Sequence, residues 1–235
     1  MLIIAHRGAS CLAPENTLPA FRSAVKFGAT MVELDVHQTK DGHVVVIHDE
    51  RLERTTNGNG FVGNFSLSLL RKLDAGAWFA GRFAGVRIPT LSEVLSCLPR
   101  RIGINIEVKN NIVDYPDFEQ HVLAVLRRFH SLHRVIISSF NWASLEKLHR
   151  LEPTLKLGLL FDCFRPDLWP AARLLNVFSL HPAVHLVDKQ FIWQAHCWGY
   201  RVFPWVVNDP QIMIELKAAQ VDGIITDCPQ VIGAN

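Results

Sequence analysis

The sequence lacks the cysteine patterns that form zinc sites and disulfide frameworks. Its five cysteines are widely separated and include no Cys-x-x-Cys pair. This spacing argues against a structural zinc site and against a set of disulfide bonds. Thiols without an evident pairing suit a reducing cytosol, so we expect a cytoplasmic protein.

Long apolar runs and concentrated charge are also missing. No apolar run approaches the roughly 18–20 residues of a membrane span, and the first residues form a strand-like run without a basic leader or a cleavage site. The formal net charge is only +2, and no Lys/Arg cluster marks a helix face. We therefore expect no membrane span and no nucleic-acid partner. The oligomeric state stays open.

Apolar strand-like runs alternate with helix-like segments along the chain. Its 235 residues, 49% of them hydrophobic, are enough for one large domain. The pattern predicts strands near residues 2–6, 31–37, 103–108, 135–139, 155–160, 176–180, 201–206 and 222–226. It predicts helices near residues 17–27, 91–98, 116–130, 142–151, 167–174, 188–198 and 209–219.

This alternation is typical of an α/β fold of the (β/α)8 TIM-barrel type, here one domain over residues 1–235. The capping box at 90–93 and Gly28 after the first helix support the predicted helix ends. The alternative is an open doubly wound sheet, but no Gly-x-Gly-x-x-Gly follows the first strand.

Residues 50–89 lack a clear period. They are predicted to form a small inserted lobe at the barrel mouth and not an independent domain, because so short a segment makes a poor core alone.

Three carboxylates are predicted to face the barrel interior from neighbouring strands. Glu33 and Asp35 alternate with apolar residues in the second strand, and Glu107 does so in the third. Buried together they repel one another, and a hard divalent cation with oxygen ligands would relieve the repulsion. The alternative is an ion-pair network with Arg7 or Lys109. Carboxylates that face inward from two adjacent strands favour the metal site. Arg7 and Lys109 could pair with these carboxylates and also contact phosphate oxygens.

A predicted hairpin carries His48 towards these carboxylates. Asp41-Gly42 is typical of a two-residue hairpin turn. With that turn Lys40 pairs with His43, and the register sets Asp35 directly opposite His48. A bulge in the hairpin would break this inference.

His6 and His48 both close strand-like runs beside the predicted carboxylate cluster. Each has a simpler interpretation. His6 could be a histidine at a strand end whose hydrogen bonds are made within the fold, and His48 could be a surface partner of Asp49. Their shared position indicates a general acid and a general base, without deciding which is which. Trp205, at the end of the seventh strand, is either core or a flat wall for a small organic group.

Three polar residues at the last strand ends receive structural predictions only. Asn208 and Asp209 are expected to start the helix after the seventh strand. Asp227 is expected to lie at the turn after the eighth strand.

Short motifs in a specific order cover nearly the whole chain. They are His6-Arg7-Gly8, Pro14-Glu15-Asn16-Thr17, Glu33-Leu34-Asp35-Val36, Lys40-Asp41-Gly42, His48-Asp49, the segment 89–95, Glu107-Val108-Lys109, Ser139-Phe140, Trp205 with Val207-Asn208, and Gly223 with Thr226-Asp227 and Pro229. In this combination the chain resembles the glycerophosphodiester phosphodiesterase family. Val206 departs from the family pattern, which usually has threonine there, and the chain stops soon after the eighth strand.

The resemblance implies a fold, a reaction and a set of roles. It implies a (β/α)8 barrel with a small insertion after the second strand. It implies hydrolysis of glycerophosphodiesters, such as glycerophosphocholine, to sn-glycerol 3-phosphate and an alcohol, with one Mg²⁺ or Ca²⁺. The implied site comprises metal ligands Glu33, Asp35 and Glu107, acid–base residues His6 and His48, phosphate contacts Arg7 and Lys109, and a glycerol-side wall at Trp205.

Two alternatives follow from the same residues. A related phospholipase D-like barrel, of the sphingomyelinase D kind, shares the histidines and the Glu-x-Asp pattern, but such enzymes are secreted and disulfide-bonded. A binding barrel without turnover would be expected to lose a histidine or a ligand, and none is missing here.

Overall fold

Parallel strands form a barrel inside a layer of helices in the computed structural model, which describes the backbone of residues 1–234 and the side chains of residues 1–231. The strands are β1 (Leu2–Ala5), β2 (Met31–Gln38), β3 (Val44–Val46), β4 (Gly103–Val108), β5 (Val135–Ser139), β6 (Lys156–Phe161), β7 (Ser179–Pro182), β8 (Arg201–Val202) and β9 (Gly223–Thr226). The helices are α1 (Leu18–Lys26), α2 (Leu67–Leu70), α3 (Leu91–Cys97), α4 (Phe118–Arg128), α5 (Trp142–Leu151), α6 (Leu168–Leu174), α7 (Lys189–Cys197) and α8 (Pro210–Ala218).

Eight strands make the barrel, in the order β8-β7-β6-β5-β4-β2-β1-β9. Every neighbouring pair in this order is parallel. The ends of the series meet after β8, where the Ile225 amide donates to the Pro204 carbonyl at 2.9 Å and the Val207 amide donates to the Ile225 carbonyl at 2.8 Å. The predicted (β/α)8 architecture is confirmed.

Alternation along the strands divides the core into two parts. Val32, Leu34 and Val36 of β2 are fully buried against the helix layer. The inner face of the barrel holds a second cluster, formed by Ile4, Met31, Ile136, Phe203 and Ile225. This apolar plug forms the floor beneath the polar residues that follow it towards the carboxyl ends of the strands.

The hairpin from β2 to β3 has a longer loop than the two-residue turn that was predicted. The Thr39 amide donates to the His43 carbonyl at 2.9 Å, so residues 40–42 form the loop. Gly42 has φ +80°. A three-residue loop with a left-handed glycine is the common alternative to the two-residue turn, and it adds a bulge.

The added residue shifts the register of the hairpin by one. Val36 pairs with Val46, and the Ile47 amide donates to the Asp35 carbonyl at 3.1 Å. The prediction that Asp35 lies directly opposite His48 is therefore wrong. His48 still reaches the barrel mouth, because β3 ends at Val46 and the chain bends at residues 48–50.

Residues 50–89 lie outside the barrel strands and contain α2 and two short 3-10 turns. Their apolar side chains join β3 in a separate small cluster, formed by Val45, Ile47, Leu52, Val62, Leu70, Ala75 and Ile88. The segment therefore depends on β3 for its core.

The chain after β9 adds no further α-helix within residues 1–234. Residues Pro229–Ala234 form a 3-10 helix instead. None of the helices in the described part of the chain is both long enough and apolar enough to cross a membrane.

Gly8 and Gly28 allow a test of how closely the loop after β1 packs on α1. Both have φ +85°, but an added Cβ at Gly8 would lie 2.7 Å from the Ala20 carbonyl carbon, whereas at Gly28 it would meet nothing within 4 Å. We expect Gly28→Ala to lower the free energy of unfolding by about 1 kcal/mol, from backbone strain alone. We expect Gly8→Ala to lower it by about 3 kcal/mol or more, because steric overlap is added. Urea denaturation measures both, and equal losses would contradict the close packing.

Candidate active site

A cavity of about 150 Å³ opens at the carboxyl ends of the barrel strands. Its lining is charged and polar on one side and apolar on the other. The lining residues are His6, Arg7, Glu33, His48, Asn105, Glu107, Lys109, Phe140, Leu160, Trp205 and Ile225. Seven of the eight predicted site residues thus line one cavity, and Asp35 lies behind them.

The three predicted carboxylates converge at the base of this cavity. Parallel pairing sets Asp35 beside Glu107 on the neighbouring strand, and Glu33 lies one inward position earlier. One oxygen from each can be chosen so that all three lie within 4.8 Å of one another. All three residues are buried, so their charges are poorly screened by solvent.

Two cations stand beside the carboxylates. The Lys109 ammonium lies 2.6 Å from Glu107 Oε1 and 3.2 Å from Asp35 Oδ1. The Arg7 guanidinium Nε lies 3.4 Å from Asp35 Oδ2, and the Arg7 amide donates to Glu33 Oε2 at 2.8 Å. The ion-pair network considered as an alternative to a metal site is therefore present, and it uses the same carboxylates that were predicted to hold the metal.

The two cations do not balance the cluster. Burial raises the pKa of Glu33 well above its usual range, and the neighbouring carboxylates raise it further. Burial raises the pKa of Glu107 to about 7 despite the Lys109 ammonium. Burial also raises the pKa of Asp35, but Lys109 and Arg7 outweigh it and hold that pKa below its usual range.

This donor set fits a hard divalent cation. Three buried carboxylates beside two cations leave one excess negative charge. All of the clustered donors are carboxylate oxygens, which suit Mg²⁺ or Ca²⁺ better than zinc, whose sites favour nitrogen and sulfur.

His6 is held by a carboxylate from the last barrel strand. Its Nδ1 lies 2.7 Å from Asp227 Oδ1, and the same oxygen accepts from Ser10 Oγ at 2.9 Å. Burial raises the pKa of Asp227, but the hydrogen bond from His6 outweighs it, and the pKa falls to about 2. An ionised Asp227 accepts a hydrogen bond from Nδ1–H, so Nε2 of the His6 ring is left for the cavity.

His48 has the same arrangement on the other side of the cavity. Its Nδ1 lies 2.5 Å from Asp49 Oδ1, which again leaves Nε2 for the cavity. Burial lowers the pKa of His48, although the Asp35 charge opposes this. His48 is thus a partner of Asp49, and it also lines the cavity.

Aromatic residues form the apolar wall. The Trp205 indole packs edge-to-face on Phe140, with ring centroids 5.6 Å apart, and its Nε1–H donates to the His181 carbonyl at 2.8 Å. Both contacts fix the ring at the cavity edge. The wall could hold a small organic group against the charged side.

Several residues that support the site were not predicted to take part in it. Asn16 donates from Nδ2 to Asp35 Oδ2 at 2.8 Å. Asp209 caps α8 as expected, but Asn208 donates from Nδ2 to Asp227 Oδ2 at 2.6 Å instead of serving the helix. Glu15 and Asn16 belong to the motif Pro14-Glu15-Asn16-Thr17, on which the family resemblance partly rests. This motif was the one sequence signal that could have indicated their place in the site.

A family model connects this geometry to known proteins. The model described as the glycerophosphoryl diester phosphodiesterase family matches residues 6–231. The chain belongs to this family. The resemblance found in the motifs is thereby confirmed, over a range that contains every residue of the cavity.

Relatives in this family match the chain nearly end to end. A glycerophosphodiester phosphodiesterase from Caldanaerobacter subterraneus subsp. tengcongensis is 45% identical over 232 residues, which cover 98% of this chain and 96% of that protein. The fold is similar to an Oleispira antarctica phosphodiesterase in complex with the product sn-glycerol-3-phosphate, with TM-score 0.90 and 30% identity, covering 100% and 96% of the two chains. It is also similar to a glycerophosphodiester phosphodiesterase from Agrobacterium tumefaciens, with TM-score 0.88 and 31% identity over 100% of both chains.

Proposed function

We propose that the protein hydrolyses glycerophosphodiesters, such as glycerophosphocholine and glycerophosphoethanolamine, to sn-glycerol 3-phosphate and an alcohol in the cytoplasm. One observation carries the proposal: two histidines, each held by a carboxylate, line the same cavity as a buried cluster of three carboxylates. Family membership and the product named for the Oleispira antarctica relative support the substrate class.

Glu33, Asp35 and Glu107 would hold one divalent cation, Mg²⁺ or Ca²⁺. When bound, this cation supplies positive charge that stabilises the phosphoryl oxygens. The charge balance supports it, because a divalent cation turns the excess negative charge of the cluster into one excess positive charge. A phosphodiester monoanion then neutralises the site.

Arg7 and Lys109 are proposed to contact the phosphate. Both side chains line the cavity. The buried Arg7 Nε has no hydrogen-bond partner among the described residues, its closest carboxylate being the ion-paired Asp35. N–H donors already held in place by these carboxylates need little rearrangement to donate to a phosphate oxygen, which is how preorganised groups stabilise a transition state.

His6 and His48 are proposed to move the protons of the reaction. One takes the proton of the attacking hydroxyl as its oxygen bonds to phosphorus, and the other gives a proton to the leaving alcohol oxygen as its bond to phosphorus breaks. We propose that the attacking group is the glycerol 2-hydroxyl, because a group tethered to the phosphate gains from proximity. The cyclic phosphate is then opened by water, and Trp205 forms the wall on the glycerol side.

The match to the family argues against the two alternatives drawn from the sequence. A barrel without turnover remains an outcome of the assay below, since it would release no product, whereas a sphingomyelinase D-like enzyme would be recognised by its preference for sphingomyelin over glycerophosphocholine.

The first test combines product identity with removal of each histidine. The unaltered protein with added Mg²⁺ or Ca²⁺ should release sn-glycerol 3-phosphate from glycerophosphocholine, glycerophosphoethanolamine and glycerophosphoglycerol, and a chelator should abolish the release. His6→Ala and His48→Ala should each lower kcat by about 10²–10⁴-fold, the usual contribution of general acid–base catalysis. The measurement is enzymatic detection of glycerol 3-phosphate.

A histidine outside the cavity provides the control. His149 lies in the last turn of α5, and His149→Ala should leave kcat unchanged. Release of phosphocholine in place of glycerol 3-phosphate would contradict the proposed reaction. Near-normal turnover by His6→Ala or His48→Ala would contradict the role of that histidine.

The attacking group can be tested with an altered substrate. A 2-deoxy analogue of glycerophosphocholine lacks the hydroxyl proposed to attack, so its cleavage should be slower by several orders of magnitude, because a tethered nucleophile is worth about 7–11 kcal/mol in favourable cases. The comparison of initial rates needs equal metal and saturating substrate. Equal rates for the analogue and the parent would show that water attacks directly.

A further inference from the structure

Arg54, in the segment 50–89, joins two carboxylates at the cavity edge. Its Nε and Nη2 donate to the two oxygens of Asp49 at 2.6 and 2.9 Å. Its Nη1 and Nη2 donate to the two oxygens of Glu15, both at 2.8 Å. Each carboxylate is therefore held by two hydrogen bonds from one planar guanidinium, the geometry that lysine cannot reproduce.

Each of these carboxylates also holds a residue of the cavity. Asp49 Oδ1 lies 2.5 Å from His48 Nδ1, and Glu15 Oε1 accepts from Arg7 Nη1 at 2.8 Å. A continuous series of charge-assisted hydrogen bonds thus runs from His48 through Arg54 to Arg7. It connects the loop after β3 with the loop after β1, two segments that are separated along the chain.

Arg54 has little capacity left to bind a substrate itself. A guanidinium has five N–H donors, and four hydrogen bonds to Asp49 and Glu15 already occupy Arg54. Asp49 and Glu15 are themselves mostly shielded, with side chains 26% and 13% exposed. Without the guanidinium the two carboxylates would repel each other and would lose the contact that fixes their orientation.

We propose that Arg54 is a positioning residue, which fixes His48 and Arg7 relative to each other through Asp49 and Glu15 and so makes the inserted segment part of the active site. This inference rests on the proposed function, because it assumes that His48 and Arg7 act on the substrate. Arg54 does not touch the substrate in this proposal. It acts through the two carboxylates, and its removal displaces both working side chains at once.

The test compares Arg54 with an arginine of the same segment that has no connection to the cavity. Arg51 is similarly exposed and also binds a carboxylate, with Nη2 2.5 Å from Glu53 Oε1. Arg51→Ala should leave kcat/KM for glycerophosphocholine within twofold of the unaltered protein. Arg54→Ala should lower kcat/KM by about 10²-fold, the usual effect of misplacing catalytic groups by about 1 Å.

Two further readouts separate positioning from a contribution to stability alone. Arg54→Ala should lower kcat and raise KM together, since His48 and Arg7 are both displaced, while its Tm falls no further than that of Arg51→Ala. Arg54→Lys should recover less than a tenth of the lost kcat/KM, because an ammonium cannot hold both carboxylates in two-point contact. Adding Asp49→Asn to Arg54→Ala should lower kcat little further, because both act through one series of contacts.

The result that overturns the inference is specific. If Arg54→Ala keeps kcat/KM within threefold of the unaltered protein while His48→Ala and Arg7→Ala lose activity, the proposed function stands and Arg54 is only a surface ion pair. If His48→Ala and Arg7→Ala themselves keep near-normal turnover, the proposed function fails instead. Should Arg54→Ala not fold, Arg54→Gln carries the same expectation and the same contradicting result.

Discussion

Three carboxylates face the interior of this barrel, and within the described part of the chain two cations stand beside them. Charges buried in a protein interior interact far more strongly than charges at its surface, so this imbalance is costly unless a further cation or a proton relieves it. The raised pKa of Glu33 and the pKa of Glu107 at about 7 express the same strain. A divalent cation and an anionic substrate would relieve this imbalance, which is the physical basis of the proposed chemistry.

The rest of the structure holds this cluster and orders the groups around it. Parallel pairing of β2 and β4 sets the carboxylates side by side, and the apolar plug beneath them excludes water from below. Each histidine is fixed through Nδ1 by its own aspartate. The inserted segment supplies the guanidinium that connects one of these pairs to Arg7. Rigid strands and a short set of ion pairs thus hold the side chains around the cavity in place.

Strand periodicity predicted the inward-facing residues, because an alternating pattern allows only one face to point into a barrel. The hairpin register was not predictable from Asp41-Gly42 alone, since loops of two and three residues use similar glycine-containing turns. The Asp227 partner of His6 and the Arg54 partner of Glu15 were missed for another reason. His6 and Asp227 are 221 residues apart, and Arg54 and Glu15 are 39 apart, so only the folded chain brings them into contact.

Calorimetric titration of Mg²⁺ and Ca²⁺ tests most directly whether the carboxylate cluster holds one divalent cation. We expect one ion per chain, with affinity reduced at least about tenfold in Glu107→Gln, because a charged oxygen ligand is lost. Glu119, a buried carboxylate paired with Lys147 at 2.7 Å, provides the matched control, and Glu119→Gln should bind the ion normally. Absence of binding by the unaltered protein, or equal affinity in Glu107→Gln, would contradict the account and reduce the cluster to a network of ion pairs.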